Sequence, residues 1–237
     1  MSLVSIVVIT YNSADFVLQT LDSVKFQTYR NLELIITDDN STDGTQNQCR
    51  NWLADNSSRF VNAVFIESDC NSGIPANCNK GALRASGEWI KFVAGDDILL
   101  PSAIERLLLF THVNGDCDIV HARVIYLYGG VGIVGTKVSE NRKRTVTEKM
   151  SPSRQFDLLK FSSFLAAPSV FLKKTLLVTL GYFDEDIKLC EDWPFWLKVS
   201  LSGKRIYFLN EEVVEYRIHD NSVYSSSIGK FLVHPFI

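Results

Sequence analysis

"VSIVVITYNSADFVLQTLDSVKFQTYRNLELIITDD", residues 4–39, decides the architecture. Its first seven residues are short, nearly all apolar and rich in β-branched side chains. That is the composition of a strand buried on both faces of a parallel sheet. Val17, Leu21 and Val24 then recur at i, i+4 and i+7, the spacing of one helix face. "NLELIITDD" follows as a second strand, so the opening reads β-α-β. The same grammar continues outward. A helix carries Trp52 and Leu53, and "FVNAVFI" (60–66) is a third strand. A helix over 75–86 has Pro75 in its first turn and Gly87 just past its end. "EWIKFVA" (88–94) is a fourth strand, and "PSAIERLLLF" (101–110) is a helix with Ile104, Leu107 and Leu108 on one face. Strands alternating with helices predict an α/β fold with a mostly parallel, Rossmann-like sheet flanked by helices.

After "DIVHARVIYLY" (118–128) the alternation loosens. "YGGVGIVGTKVSENRKRT" (128–145) reads as a loop or hairpin, and its glycines lack the G-x-x-x-x-G-K-[ST] pattern of a phosphate cradle. Arg142-Lys143-Arg144 is read as a solvated loop, with an anionic acceptor or lipid surface as the alternative. No repeat, low-complexity tract or linker divides the chain, so residues 1–237 are expected to form a single domain. Hydrophobic content of 46% with 22% charged residues predicts a substantial core. A net charge of −3 argues against a nucleic-acid partner, which needs a basic face. Five scattered cysteines without a C-x-x-C pair read as reduced thiols of a cytosolic protein. No segment approaches the roughly 18 apolar residues that cross a bilayer; "FLAAPSVFL" (164–172) is short and broken by Pro168. "MSLVSIVVITYN" lacks the basic leader of a signal peptide. The expectation is a cytoplasmic chain without a transmembrane segment, with peripheral membrane contact left open.

Open α/β sheets bind ligands outside the carboxyl ends of their strands. Three polar clusters fall at that edge: Thr10-Tyr11-Asn12, Asp38-Asp39-Asn40 and the Asp96-Asp97 of "KFVAGDDILLP" (91–101). "TYNSAD" lacks the G-x-G-x-x-G of a dinucleotide site. A nucleoside diphosphate suits the edge better. Tyr11 offers an aromatic face to a base. Asp39 can accept the N3–H of uracil, a bond to a charged acceptor worth about 1.5–3 kcal/mol. Adjacent carboxylates repel both each other and a diphosphate, and a divalent cation reverses that sign. Asp97 and a phosphate oxygen can together ligate Mg²⁺ or Mn²⁺, ions that favour oxygen. The plainer reading makes each Asp a turn residue or helix cap, with Ser41 or Thr42 capping the helix after "TDDNSTDGT" and Tyr11 a packed aromatic.

"LCEDWPFWLKVSLSG" (189–203) supplies another cluster. Glu191-Asp192 is either an acidic first turn favoured by the helix dipole or a general base against partly desolvated aromatics. In "EYRIHDNSVYS" (215–225), His219 stands just beyond an apparent strand, as a surface residue or as the third corner of a cation site.

Taken together these stretches resemble the inverting glycosyltransferases of family two, which have the GT-A fold. Residues 4–45 are similar to the family's nucleotide-binding opening, and 71–97 to its approach to the Asp-x-Asp-type metal motif. Residues 178–225, with Glu-Asp and Tyr-Arg-x-His, are similar to its acceptor half. The resemblance implies a nucleotide-sugar-binding half over 1–97 and an acceptor-binding half, with a smaller β region, over 98–237. It implies that Thr10, Tyr11 and Asn12 line base and ribose, that Asp39 reads the base, and that Asn79 contacts substrate. Asp96 would lie near ribose and diphosphate, and Asp97 would ligate Mn²⁺ or Mg²⁺. His219 would complete the metal or diphosphate contacts, and Asp192 would be the base, with Glu191 assisting or meeting acceptor hydroxyls. The implied activity is metal-dependent, inverting hexosyl or N-acetylhexosaminyl transfer from a nucleotide-sugar, UDP-sugar foremost. Its acceptor would be a glycan or lipid-linked saccharide of cell-surface polysaccharide synthesis, met at the inner membrane face. A non-catalytic nucleotide-sugar-binding protein on the same fold is the alternative. Two features depart from the family pattern: Gly95 supplies no carboxylate, and Cys78 stands where the family often has Arg before Asn79, with Lys80 or Arg84 as candidate substitutes.

Overall fold

The structure is a computed structural model that describes residues 1–128, 135–138, 150–187 and 192–219. Strands β1 (Val4–Thr10), β2 (Leu32–Asp38), β3 (Asn62–Glu67) and β4 (Trp89–Ala94) lie in the order β3-β2-β1-β4, all parallel. Alternate side chains of β1 enter different cores, because a strand's side chains alternate between faces. Ile6 and Val8 pack with α1 (Val17–Lys25) and α2 (Thr45–Asn56), whereas Val7 packs toward α3 (Ile74–Arg84). Burial on both faces is why β1 carries almost no polar residue. Helix α3 lies close on the sheet: a Cβ at Gly81 would fall 2.3 Å from Val7 Cγ1.

Beyond β4 the sheet turns mixed. The order continues through β8 (Phe171–Lys173), β6 (Ile119–Tyr128), β9 (Tyr207–Ile218) and β5 (Ile98–Leu99), with β7 (Gly135–Val138) beside β6. β6 and β9 are parallel, while β4–β8, β8–β6, β6–β7 and β5–β9 are antiparallel. The sequence reading of a mostly parallel sheet with a smaller second β region thus fits, with three of the four parallel pairings in the first half and the fourth between β6 and β9. Helix α4 spans Ala103–Val113, preceded by β5. Helices α5 (Pro152–Leu159), α6 (Lys174–Thr179) and α7 (Asp192–Leu201) complete the described helices, and all three pack with α3 in the second core.

Two registers position the functional edge. Thr10 pairs with Asp38 and Ile9 with Ala94, so β1, β2 and β4 end level and their loops leave together. Ile98 pairs with Glu215, which carries the end of β9 to the segment that follows Asp97.

At the opposite end of the sheet, Glu33 on β2 is buried and accepts from Ser5 Oγ (2.6 Å), Ser86 N and Oγ (2.8 Å each) and Asn62 Nδ2 (3.1 Å). Burial pushes its carboxyl up, but these donors outweigh it and the pKa lies below the ordinary 4.5. A folded pKa below the unfolded one stabilises the protein above the unfolded value, and that contribution is lost as pH falls through the folded value. Glu33→Gln is therefore expected to lower stability by about 1–3 kcal/mol at neutral pH. The gap in Tm should close once the pH is below the carboxylate range; a gap independent of pH would refute the charged reading.

Cys49, Cys70, Cys78 and Cys117 are free thiols. Cys190 and Arg142-Lys143-Arg144 lie outside the described residues. Among the described residues no helix is long and apolar enough to cross a membrane.

Candidate active site

The loops after β1 and β2 are tied to each other. Asn12 adopts a left-handed φ of 49°, its N–H donates to Ser41 Oγ (2.8 Å), and its Oδ1 accepts from Thr42 N (2.9 Å). Ser13 N donates to Thr45 Oγ1 and Ala14 N to Asp43 Oδ2. Asp38 is buried and accepts from Thr10 Oγ1 (2.7 Å), Ser41 and Gln46 Nε2 (2.8 Å). The capping expectation fails here: α2 starts after Gly44 at φ 98°, and Ser41 and Thr42 turn to Asp38 and Asn12 instead. Tyr11 is half exposed rather than packed.

Asp39 is buried, and its carboxylate accepts from Ser72 N (3.1 Å), Ser72 Oγ (2.9 Å) and Gly73 N (2.8 Å), with Lys80 Nζ at 3.7 Å. It fixes the backbone entering α3, so a base N3–H reaching it would exchange with one of these donors. Lys80 also donates to Ser68 and Ser72, whereas Arg84 faces solvent. Cys78 is buried in the core between α3 and the sheet, a position closed to an extended Arg.

The next corner shows how adjacent carboxylates coexist. A Cβ at Gly95 would lie 2.8 Å from Ser13 Oγ and 3.0 Å from both Ser13 Cβ and Thr10 Cγ2, so the loop leaves no room for a third carboxylate there. Asp97 is fully buried; its Oδ1 accepts from Arg217 N (3.1 Å), and Oδ2 has no hydrogen-bond partner among the described residues. Burial, then the charge of Asp96, push its pKa well above the ordinary value, against the Arg217 N–H, Lys91 and the Arg217 guanidinium. Lys91, buried in β4, donates to Phe92 O (3.0 Å) and Pro168 O, and burial pulls its pKa down to about 7 despite Asp97. Asp96 is partly exposed and its Oδ2 lies 3.0 Å from His219 Nε2. Arg217 Nε donates to Asp96 O and Nη2 to Gln19 Oε1. The Arg217 guanidinium (4.6 Å) and the His219 ring (5.0 Å) both lie on Phe16. Arg217 received no role from the sequence, although its place two residues before His219 at a strand end was a signal.

A divalent cation fits part of this donor set. The unpartnered Oδ2 of Asp97 is an oxygen with unfilled lone pairs, the kind of ligand Mg²⁺ and Mn²⁺ take. His219, expected to meet the cation or the diphosphate, is engaged through Nε2 with Asp96, the residue next to Asp97. Among the described residues no group of three metal-ligating side chains converges, so a bound cation would draw further ligands from diphosphate oxygens and water.

Asp192 heads α7, and its Oδ2 accepts from Trp196 Nε1 one turn on (3.2 Å). Glu191 lies outside the described residues. Asn79, expected to contact substrate, is buried, and its amide bonds Phe183 and Glu185.

The sequence profile described as "Glycosyl transferase family 2" matches residues 5–169. The chain belongs to this family. A relative with a fully specified name is the UDP-Glc:alpha-D-GlcNAc-diphosphoundecaprenol beta-1,3-glucosyltransferase WfaP of Escherichia coli. It is 27% identical over 236 residues, covering 98% of this chain and 82% of WfaP. Among solved structures, S. aureus TarS 1–349 in complex with UDP-GlcNAc superposes with a TM-score of 0.74 at 21% identity, over 95% of this chain and 61% of TarS. The mannosyltransferase PcManGT of Pyrobaculum calidifontis, solved with GDP-Man and Mn²⁺, gives 0.66 at 20% identity, over 90% of this chain and 56% of its own. These likenesses establish the GT-A fold for this family-2 chain, which spans about three fifths of the TarS chain.

Proposed function

We propose that this family-2 chain is an inverting glycosyltransferase. It moves a hexosyl or N-acetylhexosaminyl group from a UDP-sugar to a hydroxyl of a glycan or lipid-linked acceptor in cell-surface polysaccharide synthesis. The observation that carries the reading is the corner at the carboxyl edge of β1, β2 and β4. There a buried carboxylate oxygen of Asp97 lacks a partner among the described residues, beside an Asp96–His219 pair. The similarity to WfaP, named for a UDP-Glc donor and a diphosphoundecaprenol-linked acceptor, supports the donor and acceptor classes.

Residues 1–97 hold the donor and 98–237 the acceptor, within one domain. Tyr11, half exposed, presents its ring to the base, and the tied loop of Thr10 and Asn12 keeps that wall fixed. Asp39 serves the base side, either directly by exchange with a Ser72 donor or through the backbone it holds. Mn²⁺ or Mg²⁺ held by Asp97 and the diphosphate would neutralise charge developing on the leaving group. Asp96 and His219 stand beside the diphosphate. Asp192, oriented by Trp196, takes the proton of the acceptor hydroxyl, with Glu191 assisting. The acceptor oxygen attacks from the face opposite the nucleotide, so the anomeric carbon inverts. A lipid-linked acceptor would place the enzyme in the cytoplasm, peripheral to the inner membrane face.

Calorimetric titration with UDP, GDP and dTDP, each with and without Mn²⁺, tests the donor site. UDP is expected to bind at least about tenfold tighter with Mn²⁺, a gain of about 1.4 kcal/mol. Preference for GDP would keep the class and overturn the base reading at Asp39. Absence of binding by any of the three would overturn the nucleotide site.

A further inference from the structure

We infer that Asn79 is a positioning residue that sets helix α7, and with it Asp192, against the donor half of the sheet. The inference rests on the reading of Asp192 as the base. The Oδ1 of Asn79 accepts from Phe183 N (3.1 Å), and its Nδ2 donates to Phe183 O (2.9 Å) and Glu185 Oε1 (2.8 Å). One side-chain amide thus pairs both backbone groups of a residue in the second half, as a neighbouring strand would. The segment it grips leaves a tight turn: Gly181 has φ 82° and Tyr182 φ 64°. A left-handed non-glycine residue persists where its surroundings over-determine it.

From Phe183 the contacts run on without a gap. Its buried ring meets Phe92 of β4 edge-on at 5.4 Å and Phe195 of α7 at 5.1 Å. Phe195 meets Trp196 at 5.7 Å, and Trp196 holds the Asp192 carboxylate. On its other side α7 is held to α5 through Trp193 Nε1 and Leu159 O (2.6 Å). The α5 contact fixes the helix within the second half. The Asn79 clamp, acting through Phe183 and Phe195, fixes it relative to β4 and α3, which is the placement an attacking hydroxyl requires. A displacement of about 1 Å in a reacting group can cost on the order of 10²-fold in rate.

The test is Asn79→Ala in the full chain, read three ways. UDP affinity with Mn²⁺ should stay within about twofold of the parent. Amide hydrogen exchange in 180–187 and 192–201 should rise, while that in β1 and β2 does not. UDP released from UDP-GlcNAc should fall about 10–100-fold in kcat with KM unchanged. A tenfold loss of UDP affinity would make Asn79 a nucleotide contact and overturn the inference, as would unchanged exchange over 192–201. Should the parent bind no UDP, the functional reading fails, and the exchange arm still decides whether Asn79 positions α7. If Asn79→Ala does not fold, Glu185→Ala removes one of the three bonds and should give the same pattern at smaller size.

Discussion

Asp97→Asn is expected to lower metal-dependent UDP affinity and sugar transfer by about 10²–10³-fold, the range seen when one preorganised electrostatic contact to a developing charge is lost. The same variant should be at least as stable as the parent. Asp97 is fully buried and its pKa is raised, so its ionised form is disfavoured by folding. A raised folded pKa contributes stability that is complete below the unfolded value and is lost as pH rises through the folded one. At neutral pH the carboxyl is thus a cost, which the neutral amide removes while Oδ1 still accepts from Arg217 N. Loss of function with gain of stability is the signature of a residue retained for its chemistry.

The same burial fixes a pH dependence. Proton and cation compete for Asp97, so Mn²⁺-dependent UDP binding should strengthen as pH rises, and this slope should vanish in Asp97→Asn. Lys91 tempers the competition from within the sheet, since its charge opposes the rise in the Asp97 pKa. Thermal melts of parent and variant, with UDP titrations at several pH values, check both statements. A variant that binds UDP with full metal dependence would return Asp97 to a structural role.

The edge that holds Asp97 was legible in the sequence because its strands are long, parallel and buried on both faces. The β-α-β reading of residues 4–39 placed β1 and β2 correctly, and the later alternation placed β3, β4 and the helices between them. The strands of two and three residues, β5 and β8, were not legible. They are too short to carry a period, and their pairing is set by partners more than 80 residues away: Trp89 with Lys173, Ile98 with Glu215. The site divides along the same line. Asp96 and Asp97 announce themselves as adjacent acids at a strand end. Nothing local shows that Asn79 would grip Phe183, that His219 would pair with Asp96, or that Arg217 would close over Phe16. Each of those contacts exists because β9 and the Phe183–Glu185 segment return to the first half of the sheet. Composition was uninformative for another reason: a buried Lys91 and a surface lysine count alike.

Asp192→Asn should reduce transfer by about 10²–10⁴-fold, the contribution of a positioned general base, while UDP binding with Mn²⁺ stays unchanged. The separation follows from the architecture. Asp192 begins α7 and is held by Trp196, whereas the nucleotide edge is built from the loops after β1, β2 and β4. The substitution is nearly isosteric, and the amide oxygen can still accept from Trp196 Nε1, so α7 should keep its place. What is lost is the ability to take a proton. If Asp192 takes the hydroxyl proton, kcat and kcat/KM for the acceptor fall together, as for an interaction made only in the transition state. The ascending limb of the pH–rate profile should disappear with it. An unchanged rate would move the base elsewhere, with Glu191 next to be tested. A variant that lost UDP binding would show that the two halves of the site are coupled through α7. If the parent itself binds UDP but turns over no sugar nucleotide with any acceptor, the alternative of a non-catalytic nucleotide-sugar-binding protein on this fold would hold.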